Sequence, residues 1–270
     1  MLKSVLKKLL GRKQGKHKLR RLFYYVDYLI GGGEIREFVL VKLLEQHYNS
    51  KFRRQWLWSE EPPHFFDQRI GFFWFAFGER SPNYGPYSFY RGFFSSEIIR
   101  EGDQLLDIGC GDGFFTKRFL AARCTNIDAL DIDPSAIKAA KSYNSAPNIT
   151  YYLLDAVNQP FPEESYDVVV WDGDIGHFSA DTTNYMLQKI LQHLSHDGIF
   201  IGSESLGIEG SDHLQFFHSL NDLYVIFRPY FSHIELRCET YNIGGVTRKE
   251  AYWRCTNEPK RLQGCHWKEF

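Results

Sequence analysis

A loop with three glycines at alternate positions is the part of the chain that most restricts its chemistry. It follows the mostly apolar residues 104–108 and reads Gly109-x-Gly111-x-Gly113. Glycine tolerates positive φ and has no Cβ, so such a loop can turn sharply and bring its main chain close to a ligand. The dinucleotide fingerprint G-x-G-x-x-G would need glycine where Phe114 stands, which disfavours an NAD site. The spacing therefore predicts a nucleoside-binding loop.

Acidic residues recur where successive apolar segments end. Each of these segments is short and apolar, as expected of a buried strand. In a parallel sheet the carboxyl ends of neighbouring strands lie at one edge, where ligands bind at the switch in strand order. The four acids are therefore expected at one site; they are Asp107 in residues 104–108, Asp131 after 127–130, Asp155 after 149–154 and Asp172 after 166–171.

These motifs, in this order, resemble the class I S-adenosylmethionine-dependent methyltransferases, whose first motif is a strand-terminal acid followed by G-x-G-x-G. The resemblance implies S-adenosyl-L-methionine as cofactor. It also implies that Asp131 holds the ribose hydroxyls, that Asp155 and Ala156 contact the adenine ring, and that Asp172 begins the substrate-facing loop. The cofactor-binding residues expected on this basis are Asp107, Gly109, Cys110, Gly111, Gly113, Asp131, Ile132, Asp155, Ala156 and Asp172.

Several of these residues have a plainer interpretation. Asp107 could only brace the glycine loop by accepting amide hydrogen bonds, and Asp155 could be a strand-end cap. Cys110 is interpreted as a small packing residue of the loop rather than a nucleophile. Asp112, at a variable position of the motif, is expected to be exposed.

His177 is the first candidate for a catalytic residue. Methyl transfer from a sulfonium is an in-line displacement that depends mainly on positioning and on exclusion of water. An oxygen nucleophile usually also needs a base, which contributes about 10²–10⁴-fold. His177 follows the fourth predicted strand by six residues, in a loop with Gly173 and Gly176. Histidine titrates near neutrality, as a base requires; the alternative is a structural histidine that lines the cofactor pocket.

The acceptor is expected to be a hydroxyl of a small molecule or saccharide. Thirteen of the 30 residues from Phe65 to Phe94 are aromatic, and aromatic faces stack on planar or sugar rings. The alternative for this segment is hydrophobic packing. The loops expected to overhang the pocket are 207–218 and 241–248. The candidate substrate residues are Tyr84, Tyr87, Tyr90, His213 and Tyr241.

Two further motif comparisons narrow the reaction. The fourth strand leads into Trp171-Asp-Gly-Asp, whereas enzymes that methylate adenine or glutamine nitrogens typically have an Asn/Asp-Pro-Pro-Tyr box there. The segment after the fifth strand, Gly202-Ser-Glu-Ser, lacks the Asp-Asn pair of metal-dependent O-methyltransferases, so no metal is expected.

Two rival functions stay open, a non-catalytic cofactor-binding interaction protein and an RNA methyltransferase guided by a basic arm.

The fold class expected is α/β, a doubly wound, Rossmann-like sheet of seven mostly parallel strands with the last antiparallel and helices on both faces. Strands and helices alternate from residue 104 onward, which indicates a parallel sheet covered on both sides. The predicted domains are 1–94 (basic arm and helical, aromatic-rich cap), 95–256 (cofactor-binding domain) and 257–270 (polar tail). Helices are expected near 114–122, 134–143, 181–194 and 219–228, and strands at 104–108, 127–131, 149–154, 166–171, 198–203, 233–239 and 250–255.

Composition and charge indicate which partners and which cell compartment to expect. Of the 270 residues 43% are hydrophobic, and the formal net charge is −1, so nothing global favours nucleic acid as a partner. Five cysteines without a C-x-x-C pair fit a reducing compartment, and the cytoplasm is expected. Residues 1–21 carry nine Lys or Arg and an apolar stripe at helical spacing. This basic arm could contact a membrane surface, or pack on the protein or be solvated instead.

Overall fold

The computed structural model describes residues 87–207, 213–243, 246–262 and 268–269. The basic arm, most of the aromatic-rich cap and Tyr84 lie outside these ranges. The strands are β1 (Gln104–Ile108), β2 (Asn126–Asp131), β3 (Ile149–Leu153), β4 (Tyr166–Trp171), β5 (Leu194–Leu206), β6 (His233–Ile243), β7 (Val246–Thr256) and the two-residue β8 (Lys268–Glu269).

All eight strands form one sheet in the order β3-β2-β1-β4-β5-β7-β6-β8. Strands β1 to β5 pair in parallel, whereas β7 is antiparallel to both β5 and β6. The chain moves outward from β1 to β3 and then crosses to β4 on the other side of β1. The order therefore switches between β1 and β4, which is where an open α/β sheet binds its ligand. The predicted seven-stranded doubly wound sheet is confirmed, and β8 adds a short edge strand.

The helices begin where the sequence supplies caps. They are α1 (Tyr87–Ile98), α2 (Pro134–Tyr143), α3 (Ala180–His193) and α4 (Leu220–Phe227). Asp133 caps α2 by accepting from the amides of Ser135 and Ala136, and Pro134 occupies its first turn. Ser219 and Asp222 form a reciprocal capping box on α4. No helix in the described ranges is long and apolar enough to cross a membrane.

Alternate residues of the central strands belong to two separate cores. On β4, Val169 and Trp171 pack with residues of α3 and α4 such as Met186 and Phe227. Val168 and Val170 instead pack on the other face, with residues of α2 and the end of α1 such as Ile98. Because both faces of each strand are buried, the strands read as continuous apolar runs rather than alternating ones.

The segment predicted as an α-helix at 114–122 is partly a π-helical turn in the structure. The chain turns helically at Phe114, but Thr116–Leu120 is a π-helical turn in which the amide of Ala121 donates to the carbonyl of Thr116. Single π turns of this kind are frequent at functional sites. This turn presents the buried Thr116 hydroxyl, which donates to Asp107 over 2.6 Å.

The last three long strands extend beyond their predicted bounds. Residues 241–248 were expected as a loop over the pocket, yet Tyr241 lies in β6 paired with Arg248 of β7. Leu206 of β5 pairs with Lys249 of β7 in the same way. These ends carry polar and charged residues, so hydrophobic periodicity does not reveal them; cross-strand pairing extends the strands instead.

The start of the predicted tail is fastened to the domain by a buried ion pair. Pro259–Leu262 forms a 3₁₀ turn, and the guanidinium of Arg261 lies 2.5 Å from the carboxylate of Asp103 just before β1. Both side chains are less than a tenth exposed. The carboxylate of Asp103 also accepts from the backbone amide of Arg100 over 2.7 Å.

We expect Arg261→Met to lower the free energy of unfolding by about 3 kcal/mol, because it leaves Asp103 buried without its cation. The control is Lys260→Met, since Lys260 is exposed and should change stability by less than about 0.5 kcal/mol. Urea unfolding of both variants measures the difference. Equal midpoints for the two variants would show that the pair contributes nothing to stability.

Candidate functional site

The glycine loop lies at the carboxyl end of β1, at the switch in strand order. Gly109, Gly111 and Gly113 have φ values of 73°, 56° and 70°, a region that side-chain-bearing residues rarely adopt. A Cβ on Gly109 would collide with the carboxylate Oδ2 of Asp174, whereas one on Gly111 would meet no described residue within 4 Å. With respect to the described part of the chain, the loop is therefore packed tightly at Gly109 and open at Gly111.

Cys110 sits inside this loop as a packed residue. Its amide donates to the carbonyl of Leu130 over 2.9 Å, and its side chain is buried. Burial raises the pKa of the thiol well above its usual range, so the thiolate is disfavoured. Asp112, expected to be exposed, is instead 2% exposed and accepts from the amide of Phe114. That expectation was wrong because Asp112 caps the turn that follows the loop.

Asp131 joins the glycine loop to the loop after β2. One carboxylate oxygen accepts from the amide of Gly111 and the other from the amide of Asp133, each over 2.8 Å. Burial raises the pKa of this carboxyl. Each oxygen keeps a second lone pair, so the group can also accept from a diol. Ile132 beside it is about half exposed and offers an apolar surface next to that position.

Asp107 is a buried acid behind the loop. Its carboxylate accepts from the Thr116 hydroxyl, so in the described structure it ties the loop to the π turn. Burial, together with the charges of Asp172 and Asp131, raises its pKa to about 7, although the Thr116 hydrogen bond and the charge of Arg91 oppose that rise. These four groups therefore lie within electrostatic reach of one another. A cation bound among them would favour the ionised form of Asp107.

Asp155 caps a turn beyond β3. Its carboxylate accepts from the amides of Val157 and Asn158 and from the Asn158 side chain. The Asn158 hydrogen bond is the main reason that the pKa of Asp155 is lowered. The ammonium of Lys189 on α3 donates to the carbonyl of Ala156 over 2.7 Å, which holds the next residue of this turn. Contact with an adenine ring stays a prediction for both Asp155 and Ala156.

Asp172 and Asp174 follow β4 and face different partners. Asp172 accepts from the Ser203 hydroxyl and lies 3.2 Å from Nε of Arg91 on α1. The Arg91 guanidinium also lies 4.0 Å above the ring of Phe115. Asp174 packs against Gly109, and its pKa is raised well above the usual range, first by burial and then by neighbouring carboxylates such as Asp131. Arg91 and Asp174 were not among the predicted site residues.

His177 lies in a 3₁₀ turn, Ile175–His177, directly after these acids. Its amide donates to the carbonyl of Asp174 over 2.9 Å. Its ring centroid is 4.3 Å from that of His213, and Nε2 of His213 is 3.8 Å from Oε1 of Glu204 on β5. The structure thus brings the predicted His177 and His213 together, and adds Glu204, which was not among the predicted site residues.

The aromatic candidates lie on the α1 side of the site. Tyr90 is 43% exposed and stacks on Tyr241 at 5.6 Å with nearly parallel rings. Tyr241 is itself buried, and its hydroxyl is 3.1 Å from that of Tyr252. Tyr90 is therefore the accessible ring of this stack. Tyr87 begins α1, and a substrate role for it and for Tyr84 stays a prediction.

The residues present fit an S-adenosylmethionine molecule at this edge. The ribose diol needs a carboxylate acceptor, which Asp131 supplies, and the positive charges of the cofactor need the acids grouped around Asp107 and Asp174. Open space beside Gly111 leaves room for a ligand against the main chain. Among the described residues, no three His, Cys, Asp or Glu side chains are grouped so that they could hold a metal ion.

Residues 105–198, about a third of the chain, match a family model described as a methyltransferase domain. The N-methyltransferase NodS from Bradyrhizobium japonicum WM9, solved with S-adenosyl-L-homocysteine, superposes with a TM-score of 0.52 at 16% identity. That superposition covers 64% of this chain and 89% of NodS, and it shows the shared fold. Residues 105–198 are therefore a methyltransferase domain with the fold of the class I S-adenosylmethionine-dependent enzymes. S-adenosylmethionine is the cofactor of these enzymes, as the resemblance implied.

Curated relatives of the methyltransferase domain differ in the acceptor atom that their names give. N-terminal Xaa-Pro-Lys N-methyltransferase 1-B of Xenopus laevis is 29% identical over 127 residues, which is 44% of this chain and 57% of that protein. The 27-O-demethylrifamycin SV methyltransferase of Amycolatopsis mediterranei (strain S699) is 30% identical over 94 residues, 33% of this chain and 34% of that protein. The chain thus spans about half or less of these relatives.

We expect Gly109→Ala to destabilise the protein more than Gly111→Ala. Both variants force alanine into positive φ, at about 1–2 kcal/mol, but only the first also meets the Asp174 carboxylate. Urea unfolding without cofactor measures both costs. Equal losses of stability in the two variants would contradict the close packing of Asp174 on the loop.

We expect S-adenosylmethionine binding to release protons at pH 7. Asp107, with a pKa of about 7, is half protonated at that pH. A bound cation favours the ionised carboxylate, so affinity for S-adenosylmethionine should fall as pH drops from about 7 to 6. Titration calorimetry in two buffers of different ionisation enthalpy counts the protons. Asp107→Asn should remove the protons that Asp107 releases. This separates them from any protons released by Glu250, whose pKa burial also raises to about 7. Identical heats in both buffers would contradict this prediction.

Proposed function

We propose that the protein transfers the methyl group of S-adenosylmethionine to a hydroxyl of a small molecule or saccharide, with His177 as general base. One observation carries the proposal: the turn that bears His177 is fastened to the cofactor loop. Asp174 packs against Gly109 while its carbonyl accepts from the His177 amide. A base on that turn has a fixed position relative to the loop.

The reaction assigns a separate task to each group of residues. The cofactor supplies an electrophilic methyl on a sulfonium. Asp131 accepts from the ribose diol, and the carboxylates of Asp107 and Asp174 complement positive charge. His177 takes the proton of the acceptor hydroxyl as the new carbon–oxygen bond forms and the methyl–sulfur bond breaks, so the products are a neutral ether and S-adenosylhomocysteine rather than an oxonium ion. Arg91, Phe115 and Tyr90 close the α1 side and restrict water.

Two features of the site, the turn after β4 and the exposed ring of Tyr90, support a hydroxyl as the acceptor. The turn after β4 holds Asp-Gly-Asp in place of the box that binds an amide or base nitrogen. Tyr90 offers an accessible aromatic face in a fixed stack on Tyr241, which suits a sugar or phenol ring.

A peptide amine is the second candidate acceptor. It is favoured by the acidity of the site, where Asp172, Asp174 and Glu204 are grouped near His177 and would attract an ammonium. The name of the Xenopus laevis relative, an N-terminal Xaa-Pro-Lys N-methyltransferase, points the same way. A base is also needed for this acceptor, because an ammonium must lose a proton before it attacks.

An acceptor panel tests these alternatives. Formation of S-adenosylhomocysteine is measured with monosaccharides and phenols in one arm and with Xaa-Pro-Lys peptides in the other. Turnover in the first arm supports the hydroxyl proposal, and turnover only in the second replaces it with amine methylation. Cofactor binding with no turnover in either arm would favour the non-catalytic interaction protein.

We expect His177→Gln to lower kcat by about 10²–10⁴-fold, because the base is lost. Affinity for S-adenosylmethionine should stay within about twofold. His196→Gln is the matched control, since His196 is an exposed histidine near the start of β5, away from the carboxyl edge. A wild-type kcat for His177→Gln, measured with the best acceptor of the panel, would exclude His177 as the base.

A further inference from the structure

Glu204 is a buried carboxylate at the carboxyl end of β5 that the proposed reaction does not use. It is 3% exposed. Its Oε2 accepts from the amide of Gly176 over 2.9 Å, in the turn that carries His177. Its Oε1 accepts from the amide of Ser205 over 2.8 Å and faces Nε2 of His213 at 3.8 Å. One carboxylate thus connects the His177 turn with the segment that carries His213.

His213 is packed directly onto this turn. A Cβ on Gly176 would lie 2.3 Å from Cδ2 of His213, so the absence of a side chain at Gly176 is what admits the imidazole. The carbonyl of Gly176 accepts from the amides of Leu214 and Gln215 over 2.8 and 3.0 Å. The ring of His213 meets that of His177 at 4.3 Å with a 42° tilt. The His213 segment and the His177 turn are therefore held as one unit.

We propose that Glu204 and His213 are a positioning pair for His177. Glu204 holds the turn through the Gly176 amide and holds the imidazolium of His213, and the His213 ring fixes the orientation of the His177 ring. This inference rests on the proposed role of His177 as base. A base with a fixed ring loses little orientational freedom when the acceptor binds, and misplacement by about 1 Å can cost about 10²-fold in rate.

The electrostatics of Glu204 agree with a carboxylate that stays ionised. Burial alone would raise its pKa, but hydrogen bonds from His213 and from the amides of Gly176 and Ser205 outweigh burial, and the pKa is lowered. Among the described residues, the acids Asp174 and Glu250 feel its charge, and each of them also feels the opposing charge of Arg91. These acids disfavour a charge on Glu204, so the His213 contact, with the two amides, is what keeps Glu204 ionised.

Histidine titration tests the pair without any acceptor. Full-length protein with ¹³C-labelled histidine and bound S-adenosylhomocysteine is titrated by NMR, and the His213 signal is assigned by its loss in His213→Asn. We expect the His213 midpoint to move to lower pH in Glu204→Gln, because the carboxylate that favours the imidazolium is removed. An unchanged midpoint would overturn the ion pair.

Kinetics then test the action through His177. With the best acceptor of the panel, Glu204→Gln should lower kcat about 10²-fold and leave affinity for S-adenosylmethionine within about twofold. Glu97→Gln is the control, because it removes a carboxylate paired with Arg254 at 2.6 Å, outside the His177 turn. His213→Phe keeps a flat ring against His177 but loses the contact with Glu204, and should show a smaller loss of kcat than His213→Ala.

Different results would overturn the proposed function and the positioning role of Glu204 and His213. The expected shift of the His213 midpoint in Glu204→Gln, with no turnover on any acceptor, would overturn the proposed function and leave the ion pair in place. Turnover that depends on His177 but is unchanged by Glu204→Gln and by His213→Ala would overturn the positioning role alone.

Discussion

The close approach of the turn after β4 to the glycine loop after β1 is the constraint on which the rest of the site depends. Gly109 must lack a side chain because the Asp174 carboxylate occupies that space. The backbone of Asp174 in turn holds His177. Since β1 and β4 are neighbours in the sheet and the strand order switches between them, the glycine loop and the turn that bears His177 meet without an additional element.

This arrangement concentrates acids where water is largely excluded. Asp107 and Asp174 are buried close to further carboxylates, and their raised pKa values show that ionisation is costly in the protein without ligand. Because the folded form retains a proton on Asp107 up to pH about 7, this residue makes stability decrease between about pH 4 and 7. A bound cationic cofactor favours the ionised form of Asp107, so cofactor binding offsets the stability that the buried carboxyl costs the folded protein.

The α1 side and the β5 side make different contributions to the chemistry. Arg91 on α1 pairs with Asp172 and covers the ring of Phe115, so α1 contacts both the turn after β4 and the segment that follows the glycine loop. On the β5 side, Glu204 and His213 surround the turn of His177. The relatives do not decide between nitrogen and oxygen acceptors, so the choice rests on these side chains rather than on the fold.

Apolar periodicity, glycine spacing and strand-terminal acids are local patterns, so the sheet and its nucleotide edge could be predicted from the sequence, and the family that these motifs resemble implied the cofactor. The same patterns predicted that Asp131 and His177 lie at that edge. The folded structure was needed to show that Asp155 caps its own turn, that Asp112 is buried and that Tyr241 belongs to a strand. It was also needed to show that Glu204 contacts Gly176 and His213. These contacts join residues that are distant in the chain, and no local pattern encodes which strand end will face which loop.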